Sequence, residues 1–196
     1  MFCSPLTKDF GMSYVGLYED CGSRNTFYRL KNRRGAGFKS CESKEEADFA
    51  HRVQKKLSEN YLAPRVYSDV GRIMVPDSYE NGEIVLSNWG YVTEIAKSMP
   101  VCYDDDCDGY CNDSCCENSV IIDNVVDYLN EVGLEYTDGH RGNFGFVRRN
   151  KQWIPVVIDV GSESFGYIDE KLYGLNPKDD ADDCDCSMCR ERRGET

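Results

Sequence analysis

Two short stretches bring together the side chains most capable of chemistry. Thr137-Asp138-Gly139-His140-Arg141-Gly142-Asn143-Phe144-Gly145-Phe146 is followed, sixteen residues after Asn143, by Asp159 within Val157-Ile158-Asp159-Val160-Gly161. Carboxylate and carboxamide oxygens are the hard ligands that magnesium takes. Phosphoryl transfer asks a protein mainly to hold a magnesium-bound triphosphate in line with a hydroxyl whose proton has somewhere to go. Asp159, at the end of an apolar strand and released by Gly161 into a turn, can offer a carboxylate, and Asn143, opening the partner strand, a carbonyl. Asp138 would stand a little further out as general base, an effect of about 10² to 10⁴ in rate. His140 is expected to brace the loop. Asp-Gly and Gly-Asn are also ordinary turn dipeptides, and an Asp after a strand commonly caps the next element, so it is the order and spacing together that carry the reading.

These groups need elements to hold them. Phe144 to Arg148 and Ile154 to Val160 read as a hairpin around Arg149-Asn150-Lys151-Gln152. Upstream, Met12 to Tyr18, Thr26 to Lys31 and Gly35 to Ser40 read as three successive strands separated by turn-forming groups. Ser43 to Asn60 reads as a helix, with Ala50, Val53 and Leu57 at helical spacing. Arg72 to Pro76 and Gly90 to Ile95 read as a further strand pair across the polar stretch from Asp77. Asn118 or Ser119 would cap a second helix whose stripe is Ile122, Val125, Val126 and Leu129, ending near Gly133. Short strands in antiparallel succession with helices set apart make an α+β chain.

An Asp five residues before an Asn, then a hairpin closed by an Asp turn, resembles the catalytic loop and metal-binding turn of the protein-kinase-like superfamily. The His two places after the Asp is closer to the aminoglycoside-phosphotransferase-like branch and to short kinase-like proteins of bacteriophages. The resemblance covers about residues 12 to 165 and implies an antiparallel-sheet N-lobe with one helix over residues 1–97. A strongly reduced C-lobe would occupy 98–176 and an acidic, Cys-containing tail 177–196. It implies ATP and magnesium as cofactors, with Asp138, Asn143 and Asp159 catalytic and Asn143 and Asp159 holding the ion. Lys39 would reach the nucleotide phosphates, with Lys31 in reserve. Glu46, on the apolar face of the first helix, would hold Lys39, although Ser43-Lys44-Glu45-Glu46 is also a capping box in which Glu46 would bond the backbone of Ser43 instead. Leu62-Ala63-Pro64-Arg65-Val66-Tyr67 resembles the link from that helix to the next strand, and backbone groups of Glu94 to Ala96 would meet an adenine edge. Three features depart from the pattern. Cys21-Gly22-Ser23-Arg24 stands where a Gly-rich loop would be, Val160 replaces the usual Phe, and only 37 residues follow Asp159.

Eleven cysteines in 196 residues are concentrated late in the chain. Cys102, Cys107, Cys111, Cys115 and Cys116 are separated by four, three, three and no residues, and Cys184, Cys186 and Cys189 follow in the tail. Zinc takes four such ligands, so Cys107, Cys111, Cys115, Cys184, Cys186 and Cys189 are candidates, with free thiols in an acidic loop as the alternative. Asp104, Asp106, Asp108 and Gly109 fit the opening of a calcium loop, but its twelfth position would be Cys115 rather than Glu.

The net charge of −12, from 35 acidic and 23 basic residues, argues against nucleic acid as a partner. The charge is uneven: Lys31 to Arg65 holds nine basic and five acidic residues, whereas Cys102 to Asp138 holds eleven acidic and no Lys or Arg. No apolar run approaches the roughly 20 residues that span a bilayer, and Lys8 and Asp9 stand where a secretory signal would be apolar. The expected location is cytoplasmic, that of the host if the chain is phage-encoded. Two functions of different class follow. One is an ATP- and magnesium-dependent phosphotransferase acting on a protein Ser/Thr or small-molecule hydroxyl. The other is a catalytically weak pseudokinase that binds a host protein through Cys102 to Glu117 and the Asp-rich tail.

Overall fold

A computed structural model of the protein describes residues 14–17, 27–30, 33–76, 84–99, 114–169 and 173, which form an α+β fold. Strands β1 (Tyr14–Leu17), β2 (Phe27–Leu30) and β3 (Ala36–Ser40) run antiparallel in succession, within the segments expected from the sequence. The strands β4 (Met74–Pro76), β5 (Ile84–Leu86) and β6 (Gly90–Glu94) follow, and β6 lies along the far side of β3, giving the order β1-β2-β3-β6. β6 approaches β3 closely because Gly90 carries no side chain: a Cβ there would come within 2.0 Å of the Lys39 carbonyl oxygen. That approach fixes the backbone from which Lys39 projects.

Helix α1 (Lys44–Glu59) starts on Ser43, whose Oγ accepts the Glu46 N–H at 3.1 Å, and it buries Ala47, Ala50, Val53 and Leu57. Gln54 is buried on the same face. Its Nε2 donates to Pro64 O at 3.0 Å and to Thr93 Oγ1, and its Oε1 accepts the Tyr91 hydroxyl at 2.7 Å. A buried amide with these partners satisfied fastens the helix to β6 in one register.

The strand expected at Arg72 to Pro76 does not pair with β6. β4 pairs with β5, and β6 pairs over its full length with β3. Two isolated bridges, Val66 to Thr93 and Gly71 to Gly90, and the Ser68 Oγ, which accepts the Val92 N–H at 2.9 Å, join the 66–71 segment to β6. The reason is local: Ile84-Val85-Leu86, beyond the polar stretch, is itself an apolar strand close enough in sequence to fold back on β4.

In the second half, β7 (Lys97–Ser98) precedes helix α2 (Ser114–Glu131), which starts before the expected caps at Asn118 or Ser119 and stops just before Gly133 at φ +84°. Then come β8 (Leu134–Tyr136), β9 (Phe144–Arg149), β10 (Gln152–Val157) and β11 (Phe165–Ile168). β9 and β10 form the expected hairpin, paired from Phe144–Val157 to Arg149–Gln152 and closed by Asn150 (φ +49°) and Lys151 (φ +70°). Two residues with positive φ are what a two-residue hairpin turn matched to strand twist requires. β7 joins β9 on its other edge, and β11 pairs with β8.

The larger core cluster takes Ala50, Val53, Leu57 and Tyr91 together with Ile122, Val125, Leu129, Leu134, Phe144, Val157 and Tyr173. It therefore draws on both sides of residue 97. A smaller cluster, including Phe38, Ile73, Val75 and Val92, lies against the four-stranded sheet. Among the described residues no helix is long and apolar enough to cross a membrane.

Candidate active site

β8 ends at Tyr136, and the chain reaches β9 through a loop and a single 3₁₀ turn, Arg141–Asn143. His140 caps that turn: its Nδ1 accepts the Gly142 N–H at 3.1 Å. In the neutral ring the proton then resides on Nε2, which lies 3.5 Å from Asp138 Oδ1. Asn143 is buried and fixes the loop from the other side. Its N–H donates to His140 O and its Nδ2 to Asp138 O, each at 3.0 Å, while its carbonyl accepts the Ile158 N–H at 2.7 Å. Arg141 Nη2 reaches Ser119 Oγ on α2 at 3.1 Å. The backbone of Asp138 is thus held while its carboxylate, 41% exposed, faces solvent.

Asp159 follows β10 directly. Tyr136, stacked edge-on against both Phe144 and Phe165, donates its hydroxyl to the Asp159 carbonyl at 3.0 Å. Burial, then the charges of Asp159 and Asp138, push the Tyr136 hydroxyl far above its ordinary pKa, so it remains a donor. The Asp159 carboxylate meets Lys39 from β3, with Nζ 3.3 Å from Oδ1 and 3.2 Å from Ile158 O. Burial raises the Asp159 pKa, but the Lys39 charge and hydrogen bonds from Lys39, Gly161 and Val160 outweigh it and hold the carboxyl below its ordinary value.

The structure therefore brings Lys39, Asn143 and Asp159 together, with Asp138 one hydrogen bond away through Asn143. It does not pair Lys39 with Glu46. Glu46 Oε2 accepts the Glu42 N–H at 3.0 Å, one residue before the Ser43 N–H that the capping box would use, so the carboxylate still serves the helix start. Glu94 also has a structural partner. Its carboxylate grips Arg149 in a two-pronged pair, through Nη1 at 2.6 Å and through Nη2, and the side chains are 16% and 8% exposed. At the Glu94 to Ala96 segment, the Glu94 N–H goes to Arg65 O and the Ile95 N–H to Gly35 O, each at 2.9 Å. An adenine edge would have to use the Ala96 N–H and the remaining carbonyls.

Three contributors were not legible as site residues. Tyr136 sits at the end of a three-residue strand, where the only signal is the Leu134-Glu135-Tyr136 alternation. Arg149 lies in a turn-like Arg-Arg-Asn-Lys run that reads as solvated. Cys41 is buried two residues after Lys39. Burial chiefly raises its thiol pKa to about 11; Lys39 opposes this, and Glu46, Asp159 and Glu163 add to it.

The donor set fits a hard divalent cation. Asp159 is ionised, and the Asn143 carboxamide, whose side chain also meets the Tyr136 hydroxyl, carries a second hard oxygen. Two protein oxygens would suffice where phosphates and water complete the shell. Among the described residues no group of three or more His, Cys, Asp or Glu side chains is arranged to hold a metal. The zinc candidates Cys107, Cys111, Cys184, Cys186 and Cys189 lie outside the described residues, as does Lys31. Cys115 falls in the first turn of α2 with its side chain outside them. No family model matches the chain, and no curated protein matches its sequence.

Proposed function

We propose that this chain is an ATP- and magnesium-dependent phosphotransferase of the protein-kinase-like type, acting on an alcohol acceptor, either a protein Ser/Thr or a small-molecule hydroxyl. The observation that carries the reading is the meeting of Lys39 with Asp159 at the strand end shared with Asn143. In this reading Lys39 turns from Asp159 to the phosphates of a bound nucleotide, and Asn143 and Asp159 supply the oxygens that hold magnesium. The magnesium-bound triphosphate supplies the phosphoryl group. Asp138, kept in place by Asn143 and faced by His140, accepts the acceptor's proton.

The test is turnover of magnesium-ATP with a Ser/Thr-containing protein, with an aminoglycoside and with no added acceptor, in the parent, Asp138→Asn and Asp159→Asn chains. Phosphate transfer abolished by both substitutions supports the reading. No nucleotide-induced thermal shift together with no phosphate movement overturns it.

One observation favours the second reading, a catalytically weak pseudokinase that binds a host protein. The Glu94 and Ile95 N–H groups are already bonded to Arg65 and Gly35, which leaves the adenine edge few donors. Weak or absent nucleotide binding without turnover would select this reading.

A further inference from the structure

The β9–β10 hairpin has two unlike faces. Residues two apart on a strand share a face, as do directly paired residues on neighbouring strands. Arg149 points to one face and is consumed by Glu94. On the other, Lys97 pairs with Phe146 and Phe146 with Pro155, while Arg148 pairs with Trp153 in the next row. Trp153 is 54% exposed, and Lys97 Nζ stands 5.6 Å from its ring centroid. Lys151 stands in the turn at the tip. None of Lys97, Arg148 and Lys151 has an ion-pair partner among the described residues. An aromatic surface ringed by cations stands out on a chain of net charge −12.

That net charge also decides between occupants. A polyanion arriving from solution, whether nucleic acid or acidic protein, is repelled at long range before it meets a local basic strip. A tethered segment avoids that encounter and acts at a high effective concentration. Between Pro177 and Cys189 the chain carries Asp179, Asp180, Asp182, Asp183 and Asp185 against one Lys178. Tyr173, whose hydroxyl donates to Val132 O at 3.1 Å, anchors the chain before this run. The twelve residues from Tyr173 to Asp185 reach about 40 Å when extended, roughly the diameter of a domain of this length.

We propose that the Lys97–Arg148–Lys151 face around Trp153 is the docking surface for this chain's own acidic tail, Asp179 to Asp185. The contact is independent of the phosphotransferase reading, because the face lies along the hairpin rather than at Asn143 and Asp159. Docking covers Trp153 and neutralises the strip.

The experiment is zero-length carbodiimide cross-linking of the full chain, with the linked peptides mapped by mass spectrometry and the tryptophan emission recorded alongside. The expected result is intramolecular links from Lys97 or Lys151 to Asp179–Asp185. These should be lost at high salt and when the five tail Asp are replaced by Asn. The same replacement should shift Trp153 emission to the red, a shift absent from a Trp153→Phe background. Links from these lysines only to Asp104–Asp108, only to another copy of the chain, or to no carboxylate at all would overturn the proposal. The Lys97→Ser, Arg148→Ser, Lys151→Ser chain should show the same red shift, and an unchanged spectrum there would also count against it.

Discussion

Lys39 Nζ lies 3.3 Å from Asp159 Oδ1, so one ammonium group joins β3 to the turn after β10 across 120 residues. Its side chain is 11% exposed, and that of Asp159 33%. Lys39→Met should cost about 2 kcal/mol of stability at neutral pH, the scale of a lost hydrogen bond to a charged group. The sign of the pH dependence follows from the depressed Asp159 pKa. The stabilisation is fully present above the ordinary carboxylate value and disappears as pH falls through the lower folded value. Urea unfolding of parent and variant should therefore converge below about pH 4. If the phosphotransferase reading holds, the nucleotide-induced thermal shift is lost as well.

Asp138→Asn separates chemistry from folding. The carboxylate is exposed and its backbone is held by Asn143, so stability should change by no more than about 0.5 kcal/mol. If the phosphotransferase reading holds, turnover should fall by about 10² to 10⁴. Paired melting curves and phosphate-transfer rates check both, and a large loss of stability would recast Asp138 as a structural residue.

The Glu94–Arg149 pair tests how the first sheet is tied to the hairpin. Arg149→Met alone leaves the partly buried Glu94 without its ion-pair partner, with the Arg65 N–H at 3.2 Å still donating to it, and should cost about 2 to 3 kcal/mol. The double variant Glu94→Gln, Arg149→Met should recover part of that loss. A double-mutant cycle in urea measures the coupling, and strict additivity would show that the two groups do not depend on each other.

Cys41 should resist alkylation near neutral pH, because it is buried and its thiol titrates at about 11 rather than 9.0. Peptide mapping after brief maleimide treatment reads this directly. The raised pKa also means that this group's contribution to stability is intact below pH 9.0 and declines as pH rises towards about 11. Cys41→Ala should flatten that part of the alkaline stability profile.

Sequence periodicity made α1 and the β9–β10 hairpin legible, because each carries its signals locally. For α1 these are the Ser43 cap and the Ala50, Val53, Leu57 stripe. For the hairpin they are apolar strands around Arg149-Asn150-Lys151-Gln152. Position on the helix wheel could not reveal where Lys39 would turn. Glu46 is seven residues from it and Asp159 120, and only the assembled sheet decides between them. The start of α2 was hidden by a Cys-, Asp- and Asn-rich composition that resembles a loop. β7 and β8 are two and three residues long, too short for alternation to register. The spacing of Asp138, Asn143 and Asp159 was visible at once. The hydrogen bond from Asn143 to the Asp138 carbonyl, which makes a unit of two of them, was not.

Because Ala50, Val53 and Leu57 share one packed cluster with Leu129, Val157 and Tyr173, the two halves of the molecule hold their larger interior in common, beside the smaller cluster on the first sheet. Heat or denaturant should dissolve both in a single step. Any rearrangement at the Lys39–Asp159 contact then falls to side-chain rotations rather than to a swing between independently packed bodies.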